Sequence, residues 1–158
     1  QKKKGKKGFS MIELIIVIAI MAILIALIGT QLLPYLEKSR EKRDMTTLDT
    51  ILTATQSVIS ENELTDNVGN DKTITQVLGS DTDVTNAFKS YSGLTLDATP
   101  FKSKSAGKSS KVQDVKLIVT GTGANAVITG VKINGLTASR DGSKSNNTGG
   151  SESSSEGS

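Results

Sequence analysis

The sequence predicts an α+β fold. A long N-terminal α-helix has a protruding hydrophobic first half and an amphipathic second half, and the second half packs on a small antiparallel β-sheet of three or four strands. Three observations carry this. Leu14 to Ile28 is an unbroken run of fifteen apolar residues. Met45, Leu48, Leu52, Thr55 and Ile59 then recur at spacings of three and four, with Ile51 and Val58 beside them, which is the stripe of a helix facing a partner surface. Near the C-terminus, VQDVKLIVT and AVITGVKI are rich in β-branched residues and are separated by the turn-forming GTGAN.

The first half of the helix is long enough to cross a bilayer. Phe9 to Leu33 covers 25 residues, and at about 1.5 Å per residue it reaches roughly 38 Å, against about 30 Å of hydrocarbon. Five of the nineteen Lys and Arg precede it, in QKKKGKK. That leaves fourteen against sixteen Asp and Glu in the body, so the net charge of +3 belongs to a short flank. Such a flank marks the cytoplasmic side of the segment that follows. A cleaved secretory signal and a plain membrane anchor both fit this much. Neither explains Glu13, the one charged residue between Phe9 and Leu33.

An acidic side chain at mid-bilayer costs about 2.5–3.5 kcal/mol on insertion scales, so it normally has a partner or a task. A cut between Gly8 and Phe9 would create an ammonium group four residues from Glu13, about 6 Å along a helix. Pairing between that amine on one subunit and Glu13 on the next would fix axial register, the best-attested use of a buried ion pair. Apolar residues on every side of the helix leave it no wet face, so it is buried in lipid or among copies of itself.

GFSMIELIIVIAIMAILIAL resembles the class III leader and first helix of type IV pilins and pseudopilins. The residues that carry the resemblance are Lys7, Gly8, Phe9, Glu13 and the apolar run after it. Ser10 and Met11 stand where Thr and Leu are common. The resemblance implies cleavage after Gly8 by a prepilin peptidase, methylation of the new terminus at Phe9, and use of Glu13 in subunit addition. It is close over the first quarter of the chain and architectural beyond that. The family often has a proline within the apolar helix; here that region holds Gly29 and Thr30, and the first proline is Pro34.

Past Pro34, EKSREKRD alternates charges and reads as a solvated face or interfacial collar rather than a specific phospholipid site. The helix is expected to end in NELTDNVGN. Thr73 is placed to cap ITQVL before Gly79, and Asp83 to cap VTNAFKSY before Gly93. Asp81 and Asp83 lack the rest of a calcium loop, so capping is the better reading. TPFKSKSAGKSSK reads as a mobile surface loop, Asn134-Gly135 as a hairpin turn, and LTAS as a third strand. The expected divisions are 1–8 as basic leader, 9–62 as the long helix with 9–33 as its membrane and assembly segment, 63–111 as a connection with short helices, 112–140 as the sheet, and 141–158 as a disordered Ser/Gly-rich tail. Asn146-Asn147-Thr148 matches a glycosylation sequon by chance.

The chain has no Cys and no His. Disulfide frameworks, thiol nucleophiles and the commonest zinc ligands are therefore excluded, and with no Cys the sheet must hold by packing and hydrogen bonds, as in the pilin-like proteins of Gram-positive bacteria. No phosphate loop occurs, since Gly121-Thr122-Gly123 lies between strands. The expectation is a non-enzyme with no cofactor, no metal and no direct nucleic-acid site. Its partners would be copies of itself, membrane lipid, a prepilin peptidase and a pilus assembly platform. It would be a single-pass membrane protein before assembly and part of a surface filament after it, serving adhesion or motility. A pseudopilin of a secretion or DNA-uptake system and a monomeric anchored binding protein are the alternatives.

Overall fold

A computed structural model of the chain describes Gly5, residues 8–121 and residues 125–140. Most of the basic leader, the middle of the GTGAN turn, the tail at 141–158 and the Asn146 sequon lie outside the described residues. Two compact units divide at Glu37 and Lys38.

The helix α1 runs from Met11 to Glu61 and carries Pro34 within it. Proline lacks the amide that would bond the carbonyl one turn earlier, at Thr30. In the first unit the side chains from Phe9 to Leu36 are exposed. This stretch is long and apolar enough to cross a membrane, and none of its most apolar window is buried within the chain.

In the second unit the expected stripe is the core face of α1. Leu48, Ile51, Leu52, Thr55, Val58 and Ile59 are buried. Thr55 offsets its burial by donating its hydroxyl to the Ile51 carbonyl at 2.7 Å. Two short helices follow. α2 (Ile74–Leu78) starts at Thr73, whose hydroxyl accepts from the Gln76 amide while the Gln76 side chain accepts from the Thr73 amide. α3 (Thr82–Ser92) is capped by Asp81 and not by Asp83 as expected; the Asp81 carboxylate accepts from the Asp83 amide at 2.8 Å. Asp81 keeps extended dihedrals outside the helix, whereas Asp83 already lies in its first turn, where a negative charge complements the helix dipole. Gly93 ends α3 in the left-handed region, its amide reaching back to Lys89 at 2.8 Å.

The sheet is an antiparallel meander of β1 (Lys116–Thr120), β2 (Val127–Ile133) and β3 (Leu136–Ser139). Between β1 and β2 the register slips at Ile118/Val119, leaving Thr129 as the extra residue of a bulge. Asn134 takes a φ of 49°, as the tight Asn-Gly turn requires, and Ile133 pairs with Leu136 across it. The outer edge of β1 is covered. Asp71 and Ile74 donate their amides to Leu117 and Val115, and the Leu117 amide returns to Lys72, so the chain before α2 occupies an edge that would otherwise invite association. The inner sheet face contributes Leu117, Val131, Ile133, Leu136 and Ala138 to one hydrophobic cluster with the stripe of α1, α2 and α3. Gln56 of α1 also donates to the Ile128 carbonyl at 2.9 Å.

The stretch read as a mobile surface loop is partly core. Phe101, Ser103 and Ala106 are buried. Phe101 and Ala106 join the hydrophobic core, and Ser103 is held by Asp44 of α1, itself fully buried. Its carboxylate accepts from the Lys102 amide at 2.9 Å, the Ser103 amide at 2.7 Å and the Ser103 hydroxyl at 2.6 Å. The Ser103 oxygen accepts in turn from the Ala106 amide at 3.2 Å. A buried carboxylate is tolerable only when so satisfied.

Candidate functional site

The three residues singled out in the sequence, Gly8, Phe9 and Glu13, lie together at the start of α1. Gly8 and Phe9 are exposed and outside the helix. A Cβ added at Gly8 would meet no atom within 4 Å. Phe9 is 92% exposed. The helix begins at Met11, two residues after the expected start at Phe9, because Ser10 caps it.

That cap includes Glu13. The Glu13 amide donates to the Ser10 hydroxyl at 3.4 Å, and the Ser10 amide donates to Glu13 Oε2 at 3.1 Å. This is a reciprocal capping box, which satisfies two of the helix's orphan donors at once. Ser10 stands where Thr is common, and its capping role went unread in the sequence. Its signature, Ser-x-x-Glu ahead of an apolar run, was there to be read. A negative charge in the first turn also faces the positive end of the helix dipole. Only one oxygen of Glu13 is used by the cap, and a carboxylate has two.

No catalytic constellation forms around these residues, and among the described residues no group of His, Cys, Asp or Glu is arranged to hold a metal. Two side chains elsewhere have displaced pKa values. Asp71 is held below the usual carboxylate range by its hydrogen bond and charge pairing with Lys132, and Tyr91 is raised by its hydrogen bond to Glu61. Neither is near the N-terminal site in sequence.

Residues 3–29 match the family model of the prokaryotic N-terminal methylation motif. The match supports a prepilin of the type IV pilin or pseudopilin class. No curated protein and no solved structure matches the chain. The match covers most of the basic leader, the capping box and the apolar run to Gly29, so the residues that carry the resemblance all fall within it. A class III leader implies processing by a prepilin peptidase and assembly into a pilus or pseudopilus, and with the apolar helix it fits a membrane-anchored single-pass protein. Proteins of this class are structural subunits.

Proposed function

We propose that this prepilin is the structural subunit of a type IV pilus serving adhesion or motility. It is cut between Gly8 and Phe9, methylated on the Phe9 amine, held in the membrane by residues 9–33, and polymerised through that helix by an assembly platform. Glu13 pairs with the Phe9 ammonium of the neighbouring subunit. The role is structural and not catalytic. The observation that carries the reading is a single carboxylate at the head of an exposed, wholly apolar helix, directly after an open Gly-Phe junction. The open space at Gly8, where an added Cβ would meet no atom within 4 Å, is compatible with access for a peptidase.

Mass spectrometry of the N-terminal peptide from native cells tests processing; the expected chain starts at methylated Phe9. Glu13→Ala tests assembly. The variant should reach the membrane and fail to build filaments, whereas a monomeric anchor would be indifferent to it. Ordinary filament yield from that variant would overturn the assigned role of Glu13.

A further inference from the structure

Asn134-Gly135 is the one Asn-Gly step in the chain. Such a step is the peptide sequence most prone to lose its side-chain amide, because glycine has no Cβ to hinder the nitrogen that attacks. The reaction is intramolecular. The Gly135 main-chain nitrogen bonds to Cγ of Asn134, the Cγ–Nδ2 bond breaks, and ammonia leaves with the proton that the nitrogen gives up. Water then opens the cyclic imide at either carbonyl, giving aspartate or isoaspartate, and no oxidant or reductant is needed.

The fold ties up both reacting groups. Asn134 Nδ2 donates to the Ala106 carbonyl at 2.6 Å and to the Ser110 hydroxyl at 2.9 Å, which draws the side chain towards the segment 103–110. The Gly135 amide donates to the Ser105 carbonyl at 3.0 Å, so its proton is held where attack requires it to be lost. Asn134 and Gly135 are nevertheless exposed, and water has access to the turn.

The same contacts fasten the segment on its sheet side, as Asp44 and Glu41 fasten it to α1. Gly107 is part of the fit. Its φ is 82°, and a Cβ there would lie 2.7 Å from the Ser110 hydroxyl oxygen and 2.8 Å from Asn134 Nδ2.

The product cannot remake this arrangement. Aspartate puts a carboxylate where the Nδ2 donor stood. The Ser110 hydroxyl can turn and donate to it, but the Ala106 carbonyl is only an acceptor and is left facing a charge it cannot bond. Isoaspartate also adds a methylene to the backbone of a tight turn across which Ile133 pairs with Leu136.

We propose that Asn134-Gly135 is a deamidation site latched by the fold. While the segment 103–110 is closed on the turn, its contacts suppress the reaction; opening of the segment permits it, and the product keeps the segment from closing again.

The test incubates the full chain in an uncharged detergent at neutral pH, with and without guanidinium, and follows the Asn134 peptide by mass spectrometry. The unfolded chain should deamidate about tenfold faster or more, as release of the hydrogen bonds from Asn134 Nδ2 and the Gly135 amide implies. Gly107→Ala should speed the reaction in the folded chain and leave the unfolded rate unchanged. If that variant loses amide protection in β2, Ser110→Ala, which removes one acceptor, takes its place. Equal rates in the folded and unfolded chain, or no acceleration in the folded variant, would overturn the latch. Asn134→Asp stands for the product. Exchange of its Gly135 amide should rise about tenfold or more, while β2 and β3 keep their protection. Retained protection at Gly135 would mean that the carboxylate is accommodated, and equal loss throughout the sheet would mean that the change is not confined to the segment; either result overturns the proposal.

Discussion

Replacing Asp44 with alanine should loosen the connection between α3 and β1 and destabilise the second unit as a whole. Asp44 is fully buried and serves three donors: the amides of Lys102 and Ser103 and the Ser103 hydroxyl. The hydroxyl can rotate to another acceptor, but the two amides cannot, and a buried donor left without a partner costs about 1–3 kcal/mol. Two of them give roughly 2–6 kcal/mol. Partial opening of the loop to admit water brings the expected loss to about 3 kcal/mol, a large share of the 5–15 kcal/mol typical of a folded domain. Asp44→Asn keeps one acceptor oxygen while presenting an amide group to the same donors, so its loss should fall between those of alanine and the native residue. The assay is amide hydrogen exchange across residues 99–111 together with a guanidinium unfolding curve on the full chain in detergent. Protection at Lys102 and Ser103 should collapse and the midpoint should drop. If Asp44→Ala changes stability by less than about 0.5 kcal/mol, the size expected of a surface substitution, the carboxylate is not what holds the loop.

Ser10→Ala and Glu13→Gln separate the two uses of the N-terminal carboxylate. Loss of the Ser10 hydroxyl should fray the first turn by about 0.5–2 kcal/mol, read as faster exchange of the Glu13 amide, while glutamine can still complete a capping box and should leave that exchange near normal yet abolish filament yield. Gly130→Ala places a Cβ 2.6 Å from the Ala138 carbonyl oxygen in the adjoining strand, an overpacking that should cost about 1–3 kcal/mol and appear as lost protection across β2 and β3. The Tyr91 hydroxyl donates to Glu61, and this hydrogen bond raises the Tyr91 pKa above its ordinary value of 10.0. A raised pKa means that the contribution is fully present below the ordinary value and is lost as pH rises through the raised one; ultraviolet titration should show Tyr91 ionising at lower pH in Glu61→Ala than in the native chain, and an unchanged midpoint would contradict the assignment.

The parts of the fold that were legible in the sequence are those set by local pattern. The apolar run of α1, the stripe from Leu48 to Ile59, the Thr73 cap and the Asn134-Gly135 hairpin each need only a window of a few to a dozen residues. The misreadings have a common cause in pairings across distance. The Thr99–Lys111 stretch looked solvent-bound because its Ser and Lys content is high, and its burial depends on a carboxylate 58 residues earlier. Asp44 itself carried a usable signal: it stands four residues before Leu48, on the same helix face as the core stripe, so a charge there had to be either wrong or satisfied. It was hidden among the charges of EKSREKRD, where alternation suggested a solvated face.

Glu13 was the puzzle of the N-terminal site, and its geometry removes an apparent conflict. If the cap used the whole carboxylate, assembly would have to break it before a neighbouring subunit could pair with Glu13. The hydrogen bond from Ser10 occupies Oε2, and the second oxygen can accept a further donor at the same time. In lipid the cap also lowers the cost of carrying the charge, because the amides at a helix start need acceptors there and water is scarce. The same box holds the side chain close to the chain terminus, which fixes the direction in which its remaining oxygen is presented. On the proposed assembly, then, the capping box does not compete with subunit pairing; it prepares Glu13 for it. This is why glutamine, which preserves the cap and discards the charge, is the substitution that distinguishes a helix-starting residue from an assembly residue.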